Sequence, residues 1–286
     1  MFVLNGKTRL NLIGIMSLIL ISGYSVNSRA TETTSCTPLG PLTFGILPFI
    51  SAEQLVNRFT PFAQYLHKHL KVPVRIETAP NFLQFANRTR DQQRYDILFT
   101  APHLFPQASK AGYRLIAGVN SPGMRAIFVT PKNSHIHTLS DLKDKRLATV
   151  QPMSLASLMI KKHLNDNGLK PDVDVTLVIT PTHDASLLSS SLGITDASSL
   201  MRPPYEAASQ ALRDSMRIIA ETETAPHMPI SVSPRISTKC ETEITALLLK
   251  MDVIPEGKAV LKHNRFAGFK HADEKDYQRV RDLLRE

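Results

Sequence analysis

Four short loops carry most of the side chains in this sequence that could do chemistry. Each loop follows an apolar run of strand length, contains proline with hydroxyl or histidine residues, and opens a helical pattern; the loops are 48–51, 100–103, 151–154 and 180–184. Free backbone N–H groups and the positive end of the helix dipole at such positions attract anions. The pattern therefore predicts reversible binding of a small oxyanion, with ordinary helix N-capping as the alternative for any single loop.

Five side chains in these loops are candidates for ligand contact. Ser154 and Thr100 would donate hydroxyl hydrogen bonds to an oxyanion without adding a full positive charge. His103 and His183 would donate from the imidazolium or from a neutral tautomer, with a structural or surface position as the alternative for each. Phe49 would form one wall of the site.

Recognisable catalytic and metal-binding motifs are absent from the sequence. It has no His-Glu-x-x-His helix motif, no cysteine cluster, no Gly-x-Ser-x-Gly elbow and no glycine-rich phosphate loop. Neither cysteine is flanked by a catalytic motif. We therefore expect a binding protein and not an enzyme, with no metal or other cofactor.

The loops are positioned by short apolar runs that alternate with helical patterns, which is typical of βα units around parallel sheets. Ser51 caps the first helix with Gln54 at the capping-box position, and a second helical piece begins at Thr60 and Pro61. Strands are predicted at 42–47, 72–78, 95–99, 114–119, 126–130, 146–150, 173–179, 216–221 and 230–233. Further helices are predicted at 81–90, after Ser154, and at 185–192, 238–251 and 272–284.

The amino terminus has the composition of a secretory signal peptide. Lys7 and Arg9 precede a mostly apolar run over 11–23, and 28–30 places small residues at the two positions that signal peptidase reads. The run is too short to span a bilayer comfortably, with an uncleaved anchor as the alternative. We expect residues 1–30 to be removed and the mature protein to work in the periplasm.

The charge of the chain bears on its partners. Residues 1–30 contain three basic residues and no acid, so their removal lowers the formal charge from +9 by three to +6. A basic balance is compatible with nucleic acid or an anionic membrane as partner. Lysine and arginine are scattered among acids here, with no run of five or six. This distribution favours a mildly basic solvated surface and argues against a nucleic-acid partner.

Cys36 and Cys240 are the only cysteines. An exported protein could join them in a disulfide, and two unpaired structural thiols are the alternative. A lipid anchor on Cys36 is not expected, because 33–35 lacks the apolar and small residues of a lipoprotein signal.

Several short motifs resemble, in their order and spacing, those of the phosphate, phosphite and phosphonate solute-binding proteins of ABC importers. The motifs are FGILPFIS at 44–51, TPFAQYL at 60–66, YDILFTAPH at 95–103, PMS at 152–154 and PEG at 255–257. The resemblance runs from about residue 42 to the end of the chain. It implies an α/β, two-lobed type II periplasmic-binding-protein fold with a ligand cleft between the lobes.

The resemblance also implies how the chain divides. Lobe 1 would comprise 41–128 and 230–286, and lobe 2 would comprise 129–229. The segments 126–130 and 230–233 would be the crossings between them.

The family's binding residues match this chain only in part. Ser154 stands where members of the family place the first of several hydroxyl residues, but Leu155 replaces the next one. Thr100 takes the place of an aromatic or hydroxyl residue that approaches the ligand, and His183 begins a turn like one in the second lobe. Asp196 resembles the aspartate of a Gly-x-x-Asp-Ala pattern, where it would favour protonated or amino-bearing ligands.

These observations predict a monomeric, exported solute-binding protein. It would capture a small oxyanion of the phosphate, phosphite or phosphonate type and deliver it to an ABC permease. The alternative is a ligand-sensing protein that signals to a membrane kinase or cyclase. Both functions would use the same cleft and the same closure of the lobes on the ligand.

Overall fold

The structure of the protein is a computed structural model that describes residues 34–281. The predicted signal peptide, 1–30, lies outside the described residues. The strands of the described part are β1 Leu42–Ile46, β2 Val74–Glu77, β3 Ile97–Phe99, β4 Arg114–Val119, β5 Ala126–Pro131, β6 Lys145–Thr149, β7 Val175–Ile179, β8 Ala197–Met201, β9 Met216–Glu221, β10 Pro229–Val232 and β11 Phe269–Lys270.

Helices connect most of these strands. They are α1 Ala52–Leu70, α2 Phe82–Gln92, α3 Phe105–Lys110, α4 Leu155–Asp166, α5 His183–Ser191, α6 Arg202–Ala207, α7 Gln210–Ser215, α8 Thr238–Leu249, α9 Pro255–Asn264 and α10 Glu274–Arg281. Several begin with a side-chain oxygen that accepts a hydrogen bond from an amide three residues later, as at Ser51, Asn81, Ser154, Thr182 and Ser237. Within 34–281, none of the helices has the length and apolar character needed to cross a membrane.

The first sheet, sheet 1, has six strands in the order β11-β4-β10-β3-β1-β2. β1 runs parallel to β2 and β3, whereas β10 is antiparallel to both β3 and β4. Its core is aromatic: the ring centroids of Phe44 and Phe62 lie 5.3 Å apart, and those of Phe59 and Phe99 lie 5.4 Å apart. Helices α1, α8 and α9 bury their apolar faces in this core.

The second sheet, sheet 2, has five strands in the order β7-β6-β8-β5-β9. β6 runs parallel to β7 and β8, and β5 is antiparallel to β8 and β9. The strand β8 is not predicted from the sequence, although it is central in the sheet and buried at all five residues. Ser198 and Ser199 interrupt its apolar pattern, and their hydroxyls donate to the carbonyl oxygens of Ser186 and Ala148. These hydrogen bonds make burial of the two hydroxyls tolerable.

The chain passes from sheet 1 to sheet 2 before the predicted crossing at 126–130. The resemblance implies that residues up to 128 belong to lobe 1. In the structure, however, β5 pairs along its length with β8 and β9 of sheet 2. The change of sheet therefore comes before Ala126, in the segment that follows Val119. An isolated apolar run does not reveal which sheet its backbone joins, because pairing is a long-range property.

Helix α1 is continuous through Pro61, so the predicted break into two helical pieces is wrong. Proline has no N–H, and the carbonyl oxygen of Asn57, four residues earlier, therefore lacks its usual helical donor. His263 at the end of α9 supplies the missing donor, with its Nε2 3.1 Å from that oxygen. This donor comes from a distant segment, so sequence reading of α1 alone does not show it.

Cys36 and Cys240 form a disulfide in the structure. Both residues are fully buried in the core of sheet 1. The bond attaches the first described residues to α8, and the carboxylate of Glu243 on that helix also accepts from the Ser35 amide at 3.0 Å.

Candidate functional site

Two segments of the chain join sheet 1 to sheet 2, and both leave sheet 1 at the edge where its parallel strands end. β10 begins beside the end of β3, where Ile230 pairs with Phe99. β4 is antiparallel to β10 and therefore ends at the same edge. The joining segments, 120–125 and 222–228, thus start beside the loops that follow β1 and β3.

The same segments meet sheet 2 at the carboxyl ends of its parallel strands. Ala126, the first residue of β5, pairs with Met201, the last residue of β8, and β9 ends close by at Glu221. The two segments also pair with each other, through hydrogen bonds of 2.7 and 2.8 Å between the backbones of Met124 and Ala225. The loops after β6, β7 and β8 therefore face the loops after β1 and β3, and we call these two sets of loops the facing edges. Open α/β sheets bind ligands at the carboxyl ends of their strands, where these loops lie.

Phe49 and Thr100 lie at this edge of sheet 1. The Phe49 amide donates to the Leu47 carbonyl at 2.9 Å, and its half-buried ring lies 6.2 Å from that of Phe59 in an edge-to-face arrangement. The Thr100 amide donates to the Pro229 carbonyl at 3.3 Å, and the residue is only 2% exposed. Phe49 can form a wall, whereas the Thr100 hydroxyl presents little surface to a ligand in this arrangement.

His103 connects the facing edges directly. It is fully buried, and its Nε2 donates to the Met153 carbonyl in the loop after β6 at 3.0 Å. Its Nδ1 is buried with no hydrogen-bond partner among the described residues. Burial lowers the pKa of His103 to about 4, and the bond to Met153 opposes this shift only in part. The ring is therefore neutral at pH 7, with its proton on the nitrogen that faces sheet 2.

Ser154 is the N-cap of α4, and its hydroxyl accepts from the Ser157 amide at 3.2 Å. The next two amides, those of Leu155 and Ala156, belong to the first helical turn and have no acceptor within the helix. The Leu155 side chain, 5% exposed, packs into the apolar core of sheet 2. A ligand contact at Leu155 would therefore be made by its backbone amide, because its side chain is buried in the core.

His183 is the first residue of α5 and lies beside the end of β8. Its Nδ1 accepts from the Met201 amide at 3.4 Å, which leaves Nε2 as the protonated nitrogen of the neutral ring. Burial lowers the pKa of His183, and the nearby Asp184 carboxylate opposes that shift. His183 can therefore donate a hydrogen bond without carrying charge.

Asp196 lies at the opposite edge of sheet 2, which contradicts its predicted role in the ligand site. It precedes β8, and its carboxylate accepts from the Arg146 amide at the start of β6 at 2.8 Å. The Arg146 guanidinium lies 3.5 Å from the same carboxylate. Because β6 and β8 are parallel, their amino ends are a full strand length from the loops that bear His183 and Ser154. Asp196 is a structural residue.

Five of the seven predicted ligand contacts thus lie at the facing edges as side chains: Phe49, Thr100, His103, Ser154 and His183. Sequence reasoning missed Arg58 on α1, whose guanidinium carbon lies 5.6 Å from the Phe49 ring centroid. A signal was present: Leu55, Arg58, Phe59 and Phe62 follow the i, i+3, i+4, i+7 spacing of a buried helix face. A charged side chain on such a buried helix face needs specific partners that stabilise its charge.

The chain is similar to known binding proteins over nearly its whole length. The family model of ABC transporter phosphonate periplasmic substrate-binding proteins matches residues 44–277. The phosphonates-binding periplasmic protein of Escherichia coli strain K12 is 22% identical over an alignment of 283 residues, which covers 94% of this chain and 83% of that protein.

Solved structures give the same fold. PhnD1 from Prochlorococcus marinus, in complex with methylphosphonate, superposes with a TM-score of 0.75 at 20% identity, over 86% of this chain and 97% of that one. The binding component of an ABC phosphonate transporter from Pseudomonas aeruginosa gives 0.73 at 17% identity, over 86% and 85%. These matches confirm the type II periplasmic-binding-protein fold.

The family match also confirms the resemblance drawn from the short motifs, and it describes a transporter component and not an enzyme. The chain belongs to the family of periplasmic substrate-binding proteins of ABC phosphonate transporters.

Proposed function

We propose that this protein captures a small phosphonate-type oxyanion in the periplasm and delivers it to the permease of an ABC importer. The observation that carries the proposal is the contact between the loop before α4 and His103 of sheet 1. It supports the proposal because Met153 lies just before the amino terminus of α4, and a helix amino terminus is suited to binding anions. Removal of residues 1–30 on export and a monomeric mature protein belong to the same proposal.

The oxyanion would be held mainly by uncharged donors. The amides of Leu155 and Ala156, the Ser154 hydroxyl and Nε2 of His183 come from the starts of α4 and α5 in sheet 2. Sheets 1 and 2 would be the cores of two lobes that close on the ligand about the joining segments 120–125 and 222–228. Backbone amides compensate for the hydroxyls that Leu155 and Ala156 lack, since each amide is a fixed donor.

The family description favours an importer over the sensor that the sequence also allowed, because it names a component of an ABC transporter. The E. coli relative is named for phosphonates, and the P. marinus structure holds methylphosphonate. We therefore place phosphonates ahead of phosphate and phosphite as ligands of this chain.

Thermal unfolding of residues 31–286 against a ligand series tests the proposal. The series contains phosphate, phosphite, methylphosphonate, aminoalkylphosphonates, sulfonates and a few amino acids. A ligand at about one hundred times its Kd should add about 2.7 kcal/mol, which raises the Tm by roughly 5–11 °C for a chain of this size. Shifts with phosphonates are expected. Absence of a shift with every oxyanion in the series would contradict the proposal.

A further inference from the structure

Arg58 is held in an aromatic environment at the carboxyl edge of sheet 1. Its guanidinium carbon lies 5.6 Å from the ring centroid of Phe49, 5.8 Å from that of Phe59 and 5.4 Å from that of Phe266. Such contacts are favourable cation–π interactions. One Nη donates to the carbonyl oxygen of Asn264 at the end of α9. The half-buried side chain is thus fixed in place on α1.

The charge of Arg58 is not neutralised by the residues around it. Burial lowers its pKa, and the other charge that contributes is Arg265, which lowers it further. No ion pair between Arg58 and a carboxylate is present in the 34–281 portion of the chain. Its Nε is buried and has no acceptor there either. A half-buried cation with an unused donor is costly to keep without an anion.

Arg58 lies beside the predicted ligand site and not on a remote surface. Phe49, which it contacts, is in the loop after β1 that faces sheet 2. His227, in the joining segment 222–228, lies 6.1 Å from Phe266, and the charge of Arg58 contributes to lowering the His227 pKa to about 4. Its neighbours are therefore the loops and the joining segment that surround the facing edges.

A purely structural role accounts for part of this arrangement. The bond to Asn264 places a cation at the carboxyl end of α9, where it stabilises the helix dipole. That role uses one guanidinium nitrogen. It does not account for the buried, unused Nε or for the lack of a carboxylate partner.

We propose that Arg58 binds a second anionic group of the ligand, so that the preferred ligand is a phosphonate that also carries a carboxylate. The inference rests on the proposed function: the phosphonate group would lie at the start of α4, and the carboxylate would receive the guanidinium donors of Arg58. An ammonium group in the same position is repelled by Arg58. The aspartate that could have attracted it, Asp196, lies at the other edge of sheet 2.

Calorimetric titration with methylphosphonate, phosphonoacetate, 3-phosphonopropionate and 2-aminoethylphosphonate tests the inference on the wild-type chain. Either phosphonoacetate or 3-phosphonopropionate should bind at least about tenfold more tightly than methylphosphonate. 2-Aminoethylphosphonate should bind more weakly than methylphosphonate. Equal affinities, or tighter binding of the amine, would overturn the role of Arg58 while leaving the proposed function intact. If no phosphonate binds at all, the proposed function fails, and the inference fails with it.

Two variants then assign the preference to the side chain. Arg58→Met should abolish the preference for the carboxylate and change methylphosphonate affinity by less than about threefold. Arg58→Lys should keep part of the preference, because it keeps the charge but not the planar fork. Arg90→Met, which removes an exposed charge paired with Asp91, is the control and should change none of the affinities.

Thermal unfolding without ligand separates binding from folding in these variants. If Arg58→Met is unfolded, Arg58→Lys and the wild-type ligand series still decide the question. An equal loss of affinity for all ligands in a folded Arg58→Met protein would show a structural role and overturn the inference.

Discussion

The Nε2 of His103 lies 3.0 Å from the carbonyl oxygen of Met153, and this hydrogen bond joins the loop after β3 to the loop after β6. The two loops belong to different sheets. The bond is made by a neutral, fully buried ring to a backbone atom just before the Ser154 cap of α4. The arrangement of the facing edges therefore depends in part on one uncharged side chain.

Replacement of His103 by Phe should weaken ligand binding. The ring volume is nearly preserved, but the donor to Met153 is lost, so the facing arrangement becomes less populated. One hydrogen bond contributes about 0.5–1.5 kcal/mol, and we expect methylphosphonate affinity to fall roughly threefold to tenfold. Isothermal titration measures this, with the exposed His135→Phe as control. Unchanged affinity in a folded variant would show that the bond does not support the binding arrangement.

The buried histidines make stability depend on pH. Burial lowers the pKa of both His103 and His227 to about 4, from 6.5 in the unfolded chain. The unfolded state therefore binds more protons between pH 6.5 and 4, so this stability is fully present above pH 6.5 and is lost as pH falls towards 4. We expect each histidine to account for about 1–2 kcal/mol of the loss between pH 7 and pH 5.

Urea unfolding at the two pH values measures that loss. His103→Phe and His227→Phe should each reduce the difference in unfolding free energy, and the double variant should reduce it most. A pH dependence that is the same in wild type and in both variants would contradict the prediction.

Removal of the disulfide should destabilise the protein strongly. The bond closes a loop across a sequence separation of 204 residues, from Cys36 to Cys240. Native disulfides typically contribute about 2–5 kcal/mol, towards the upper end for long loops in the chain-entropy model. Urea unfolding of wild type with and without reductant measures the loss. The Cys36→Ser/Cys240→Ser protein should match the reduced wild type and be insensitive to reductant; equal stability of all forms would contradict the prediction.

The sequence contains enough local information to predict most elements that position the site. The loops before α1 and α4 show their capping residues, Ser51 and Ser154, directly in the sequence, and the structure contains the corresponding bonds. β4 has the predicted bounds, Arg114–Val119. Capping and short-range periodicity are local properties, so one sequence is sufficient to identify them.

What could not be predicted depends on contacts between distant segments. β8 is not predicted because Ser198 and Ser199 interrupt its apolar pattern, and the carbonyl oxygens that accept their hydrogen bonds come close only in the folded protein. Asp196 resembles a ligand residue in sequence, but the parallel pairing of β6 and β8 places it at the wrong edge. Arg58 is within an ordinary amphipathic pattern, and its environment includes Phe266, far along the chain. In each case the partner is not specified by local spacing.

Ser154 and Asp196 lie at opposite edges of sheet 2, so their replacement should affect ligand binding differently. Asp196→Ala removes the acceptor of the Arg146 amide, so stability should fall by about 1–2 kcal/mol while methylphosphonate affinity stays unchanged. Ser154→Ala should cost about 1 kcal/mol of stability through loss of the α4 cap and should also weaken binding. Urea unfolding and titration on the same samples compare the two. Weakened binding in a folded Asp196→Ala protein would restore Asp196 to the site.

The continuity of α1 through Pro61 depends on His263, and a double-mutant cycle can isolate that dependence. In the wild type, His263→Ala leaves the Asn57 carbonyl without its donor and should cost about 0.5–1.5 kcal/mol. In a Pro61→Ala background, the amide of the new alanine can donate to the same oxygen, so the cost should be smaller by about 0.5–1 kcal/mol. Urea unfolding of the four proteins measures the coupling. An equal cost in both backgrounds would mean that His263 does not replace the missing amide, and that packing of α9 alone keeps α1 continuous.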